Sequence, residues 1–213
     1  MAETNAARAP RRTRRRIVIA GALLGAVAVL IAANYGWWVI VEHRLVVVRD
    51  GEVFQSAEMP PEELVRVGKS HAIRSVIDLR DTRPEAVDAE RAALEQAGIK
   101  HLHVPSRQEP SQETIDRVLG LMADPANQPL LVHCEHGEGR SVLMAALYRI
   151  REQGWTNEAA WHGTARLPRN LQFLADLFPG FATFGRDSRK GRILFEFQPA
   201  PPGAANATGD TAR

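Results

Sequence analysis

At 213 residues the chain has room for one domain with appendages or for two small ones, and 45% hydrophobic with 24% charged residues is ordinary for a globular protein. Six of the 27 basic side chains but only one of the 25 acidic ones precede residue 17, so the remainder carries 21 basic against 24 acidic groups, net −3. The basic balance therefore belongs to the N-terminal arm, which argues against a nucleic-acid-binding domain, and a single cysteine excludes any intramolecular disulfide.

Residues 1–16 read as a basic cytoplasmic arm, with Arg8, Arg11, Arg12, Arg14, Arg15 and Arg16 against Glu3. Residues 17–41, IVIAGALLGAVAVLIAANYGWWVIV, carry no charge over 25 positions. As a helix this run would be about 37 Å long, enough to cross a hydrocarbon core of roughly 30 Å. Tyr35, Trp37 and Trp38 suit the interfacial belt, and the arginines before the run place the N-terminus in the cytoplasm and the rest beyond the membrane. A cleaved signal is the competing reading: TRRRIVI loosely resembles a twin-arginine export signal, and Ala26-Val27-Ala28 is a small-x-small site. The apolar run continues well past that site, which favours a retained anchor, and either reading exports the domain.

Residues 42–198 form the folded domain. LVVV and VF around Arg49-Asp50-Gly51 predict a hairpin, and PPEELVRVG a helix opened by prolines. IRSVIDL is a buried strand, PEAVDAERAALEQAG an amphipathic helix ended by Gly98, and IKHLHV another strand. SQETIDRVLGLM opens on a Ser cap, PLLVH is a short apolar strand, and SVLMAALYRIREQG is a helix closed by Gly154. TNEAAWHGTA and PRNLQFLADLF predict two more helices, with Trp155 and Trp161 as packing residues. The tail from 199 to 213, Pro/Gly/Ala-rich and without periodicity, reads as disordered. The alternation predicts an α/β fold, a mainly parallel sheet flanked by helices, with ligands at the C-terminal ends of the strands.

HCEHGEGRS, residues 133–141, falls at such an end, between an apolar strand and a helix. Converging backbone N–H groups and a helix N-terminus there suit an anion, and Gly137 and Gly139 permit a tightly curled loop. Arg140 can offer a planar fork to two phosphate oxygens, and Cys134 sits where that field favours the thiolate. The spacing puts sulfur and clamp on opposite sides of one cup.

These residues resemble the His-Cys-x5-Arg-Ser/Thr signature of the cysteine-dependent protein tyrosine and dual-specificity phosphatases. VIDLRD, GIKHLHVPSRQEPSQETI and ANQPLLVHC extend the resemblance over roughly residues 45–165, toward the compact atypical branch, some of whose members act on inositol phosphates. The resemblance implies that Cys134 attacks phosphorus and forms a phosphocysteine that water hydrolyses. Arg140 would bind the phosphate and stabilise the transition state, and Ser141 would donate a hydrogen bond to the departing sulfur. His133 would be structural, and the backbone N–H groups of Glu135, His136, Gly137, Glu138, Gly139 and Arg140 would hold the phosphate oxygens. No metal or cofactor is expected. Where such enzymes carry an acidic aspartate, the loop VPSRQEPS offers only Glu109, the expected proton donor, with Asp78 and Asp81 as alternatives.

Glu135 and Glu138 lie where enzymes for highly phosphorylated inositols often carry lysines, so Coulomb repulsion favours a substrate with one or two charges, on a protein or lipid. An inositol phosphatase and a phosphate-binding module without turnover are the alternatives. His101, His103, His133, Cys134 and His136 raise zinc, but neither C-x2-C nor H-x3-5-H spacing occurs. Arg186, Arg189, Lys190 and Arg192 read as a solvated surface, with substrate steering or headgroup contact as the other use. Twenty-four arginines against three lysines hint at a GC-rich bacterial genome, hence an inner-membrane protein with a periplasmic domain.

Overall fold

The computed structural model describes residues 11–198; the basic arm up to residue 10 and the tail from 199 lie outside the described residues. Helix α1, Arg11–Ile40, starts before the apolar run and takes the arginines from Arg11 to Arg16 into its first turns. From Thr13 to Ile40 it is long and apolar enough to cross a membrane, and the most apolar part is not buried against the rest of the chain. Its C-terminal turns are partly covered from Asn34 onward, and there Trp38 is buried and its indole donates to the Leu45 carbonyl.

Five strands form one sheet in the order β1-β2-β5-β3-β4. Strand β1, Val46–Arg49, pairs antiparallel with β2, Val53–Ala57, and this is the expected hairpin. The remaining neighbours, β5 (Leu130–Cys134), β3 (Ser75–Asp78) and β4 (Lys100–His103), are parallel. The mainly parallel sheet flanked by helices is thus as the alternation predicts. β5 is central and fully buried, so its apolar residues face protein on both sides.

Helices cover both faces. α2 (Pro61–Ser70) and α3 (Pro84–Gln96) close one side over Phe54, Leu64, Val76, Leu94 and Leu131. α4 (Gln112–Ala123) and α5 (Arg140–Gln153) close the other, over Ile77, Val118, Leu130, Val132 and Leu147. Local chemistry sets the ends: Ser111 Oγ accepts from the Thr114 N–H, and Gly154 closes α5 in the left-handed conformation.

The C-terminal third departs from expectation. α6 is a short helix, Asn157–His162, capped by Thr156. The stretch expected as one helix splits into a 3-10 turn at Arg169–Leu171 and α7, Phe173–Leu177. A further helix, α8 (Arg189–Glu196), forms where the sequence reads as a solvated basic surface. Trp161 packs as expected and is buried, whereas Trp155 is 39% exposed, with the Arg149 guanidinium 5.2 Å from its ring centroid.

Candidate active site

Cys134 ends β5 opposite Ala57 of β2, while His133 lies opposite Asp78 of β3. The loop from Glu135 to Gly139 then curls into α5, which begins at Arg140. Gly137 is required twice over: its φ is +62°, and a Cβ there would lie 2.6 Å from the Ala57 backbone nitrogen.

The sulfur sits in a charged, hydrogen-bonded environment. Cys134 is buried, and its Sγ lies 3.3 Å from Ser141 Oγ. Ser141 is held by Gln55 Nε2 at 3.2 Å and reaches the Ser56 carbonyl at 3.3 Å. Burial by itself would push the thiol pKa up; the Ser141 hydroxyl, the N–H groups of Ser141 and Gly137 and the Arg140 charge outweigh it and hold the thiol below its ordinary value.

Arg140 is only 2% exposed. Its Nη1 donates to the carbonyls of Leu79 (3.0 Å) and Ser106 (2.9 Å) and to Asp81 Oδ1 (2.6 Å). Three acceptors from two loops hold Nη1, while Nη2 lies 4.0 Å from Glu135 Oε2 and is the part of the guanidinium able to meet an anion.

Under this cup lies a buried ionic network. Arg80 meets Asp78 through Nε and Nη2, and Nη2 also donates to Glu90 at 2.6 Å. His133 Nε2 lies 2.9 Å from Glu90 Oε1, and His101 Nε2 lies 3.3 Å from the same oxygen. Two carboxylates and one guanidinium leave one negative charge, which a histidine proton can balance. Burial opposes charge on each group, yet their mutual contacts prevail: Glu90 is lowered to about 2, Asp78 lies far below the usual carboxylate range, and His101 is raised to about 8. His133, for the same reason, is shifted upward against its burial. Through this contact with Glu90, His133 joins the base of the loop to α3. Asp78, Glu90 and His133 could also converge on a metal ion, but Arg80 occupies the space between the two carboxylates. His136 is exposed at the lip, so the five candidate zinc ligands are not brought together.

The cup opens between Cys134, His136, Glu138, Gly139, Arg140, Gln108 and Lys190 in a cavity of about 220 Å³. Gln108 is a lining residue that sequence reasoning missed, and Lys190, read there as part of a solvated surface with substrate steering as the other use, lines the cup as well. Lys190 comes from α8, donates to Gln108 Oε1 at 3.3 Å, and would lie 3.2 Å from a Cβ on Gly139. It gets there because Gly191 packs against the backbone of Gly185 and Arg186, where a Cβ would fall 2.2 Å from the Gly185 oxygen. The basic cluster is accordingly divided: Arg186 lies over the rings of Trp161 and Phe195, Arg189 engages Glu109, and Lys190 faces the cup. Only Arg192 of the four keeps a merely exposed position.

Two sequence expectations concern glutamates whose partners the structure identifies. Glu109 binds Arg189 through both oxygens, at 2.9 and 2.7 Å, whereas Asp81 contacts Arg140; neither carboxylate is among the residues that line the cup. Glu138 pairs with Arg44 at 2.7 Å and Arg166 at 3.5 Å, and Glu135 lies 4.0 Å from Arg83. Both loop glutamates thus carry cationic neighbours, so the repulsion argued against polyanions loses most of its force.

The profile of the family described as "DSP-PTPase phosphatase fused to NAD+ Kinase" matches residues 62–172. The chain belongs to that family, and with it to the cysteine-dependent dual-specificity and tyrosine phosphatase superfamily. Among curated relatives it is 39% identical over 75 residues to the dual specificity protein phosphatase TpbA of Pseudomonas aeruginosa, covering 34% of each chain. It is 28% identical over 114 residues to the tyrosine-protein phosphatase-like protein OCA2 of Saccharomyces cerevisiae, covering 52% of this chain and 57% of that one. The chain thus spans about a third to about half of the length of these relatives. The crystal structure of PTPMT1 shares the fold at a TM-score of 0.52 and 18% identity, over 71% of this chain and 92% of that one. The PTP-2 phosphatase of Cydia pomonella does so at 0.52 and 16%, over 71% and 88%.

Proposed function

We propose that the chain is a phosphomonoester hydrolase acting through a phosphocysteine, tethered to a membrane by residues 17–41. The observation that carries this reading is the pairing of a buried, acidified Cys134 with an Arg140 held through Nη1. In the first step the thiolate attacks phosphorus, the bond to the leaving oxygen breaks, and a carboxylic acid protonates that oxygen. Arg140 and the loop N–H groups take up the charge spread over the phosphoryl oxygens. In the second step water attacks phosphorus, its proton returns to the carboxylate, and the sulfur leaves with a hydrogen bond from Ser141. The scheme uses no metal ion or cofactor.

We assign the proton donor to Asp81, because it already contacts Arg140, and keep Glu109 as the second candidate. A phosphorylated protein is the preferred substrate, in line with the dual specificity named for the Pseudomonas relative. An inositol phosphate is the second reading, favoured by Lys190 at the cup and by the paired state of Glu135 and Glu138. A phospholipid phosphomonoester remains within the same chemistry. The arginine-rich N-terminus supports a topology with the domain, residues 42–198, on the far side of an inner membrane.

The test is turnover by the full chain in detergent on phosphotyrosine and phosphoserine peptides, phospholipids and inositol phosphates, with Cys134→Ser as control. Activity on one class that vanishes in the control supports the proposal. Phosphate binding without turnover on any class would make the chain a recognition module instead.

A further inference from the structure

Outside α1 and the adjoining Val41, five large hydrophobic side chains stand exposed among the described residues, and four are in one short segment. Phe173, Leu177, Phe178 and Phe181 are 58%, 65%, 57% and 42% exposed. The surrounding stretch, NLQFLADLFPGFATF from 170 to 184, has one charged residue, Asp176. Phe178 and Phe181 meet edge to face, so the aromatic rings form a cluster on the surface.

The position of this patch matters as much as its composition. A cleft of about 600 Å³ separates the segment from α1, lined by Ala28, Ile31 and Tyr35 on the helix and by Leu171, Leu174 and Phe181 across from them. Ala28 lies twelve residues before Ile40, about 18 Å back along the helix axis. The segment therefore runs beside the C-terminal half of the apolar run rather than beyond its end. Anything at that level is surrounded by hydrocarbon if α1 spans a bilayer. Arg166 and Arg169 stand at the root of the patch, where cations would meet phosphate headgroups, and Trp37 is exposed at the end of α1.

We infer that residues 171–181 are a second membrane contact, an apolar wedge that enters the same leaflet as the C-terminal half of α1 and seats the domain on the lipid surface. The inference rests on the reading of α1 as an anchor. The occupant of the patch is lipid because the exposed face is continuous with the lipid-facing surface of α1 and shares its apolar character. Arg166 reaches from the root of the wedge to Glu138 on the lip of the cup, and Arg44, four residues past the helix, binds the same glutamate. The wedge thus also fixes how far the cup stands from the membrane.

The experiment places an environment-sensitive fluorophore on single cysteines in the full chain, in a Cys134→Ser background, reconstituted into phosphatidylcholine–phosphatidylglycerol vesicles. Labels go on Leu177 and Phe173 in the wedge, Leu24 in the anchor and Asp88 on the exposed face of α3. Spin-labelled acyl chains should quench both wedge labels and the Leu24 label at least about twofold more than the Asp88 label, while aqueous iodide shows the reverse order. Quenching at Leu24 with water-like wedge labels would overturn the wedge and leave the anchor standing. Wedge labels shielded from both quenchers would point to a protein contact and also overturn it. A water-like Leu24 label would remove the anchor and the wedge together.

Discussion

The two walls of the cup are built differently. The inner wall, Cys134, Arg140, Ser141 and the network of Asp78, Arg80, Glu90 and His133, is buried and joined by hydrogen bonds among residues of two strands, two helices and the loop after β3. The outer wall, Gln108 and Lys190 backed by Glu109 and Arg189, is made of long side chains on a loop and a terminal helix, largely exposed to water. Charges fixed in a dry setting act strongly and need no rearrangement, whereas exposed ones are screened and mobile. On the proposed function, the contrast assigns the chemistry to the inner wall and substrate choice to the outer one.

Substitutions should separate the walls by size of effect. Arg140→Lys keeps the charge but loses the planar fork and its tethers, and kcat/KM should fall about 10²–10³-fold. Asp81→Asn should lower kcat about 10²-fold, while Glu109→Gln changes turnover less than about twofold. The opposite ranking would return the proton to Glu109. Glu90→Gln leaves Arg80 and two histidines short of a buried counter-charge and should cost about 3–5 kcal/mol of unfolding free energy in denaturant titration. Lys190→Ala should raise KM several-fold with little change in kcat, and more for multiply phosphorylated substrates than for singly phosphorylated ones.

The network also sets a pH dependence. Glu90, lowered to about 2 from 4.5, contributes stability present above pH 4.5 and lost as pH falls through 2. His101, raised to about 8 from 6.5, contributes stability present below pH 6.5 and lost as pH rises through 8. Thermal unfolding followed across pH should show a plateau between 4.5 and 6.5 with a decline on either side. In Glu90→Gln the acid limb should flatten.

Much of the inner wall was legible because its signals are local. The cap at Ser111, the terminator Gly154 and the apolar run before Cys134 each act within a few residues, and the Cys134–Arg140 spacing fits one loop entering one helix. The outer wall was legible only in part: Glu109 and the basic cluster stood out in the sequence, but Lys190 reaches the cup only after α8 folds against a backbone that Gly191 alone can approach. Gln55 was missed for the same reason, its partner Ser141 being 86 residues away. The buried network assembles from β3, β4, β5 and α3, and no periodicity announces that Glu90 and His133 will touch. The pairing of Glu138 with Arg44 and Arg166 likewise weakens an electrostatic argument that counted charges along the chain rather than in space.

The central claim is that Cys134 carries the phosphoryl group. Rapid acid quenching of the full chain during turnover of a phosphomonoester, followed by mass spectrometry of its peptides, tests this directly. One phosphoryl group on the peptide containing Cys134, lost within a single turnover and absent in Cys134→Ser, is the predicted result. Turnover that persists in Cys134→Ser, or that proceeds with no adduct on that peptide, would contradict it.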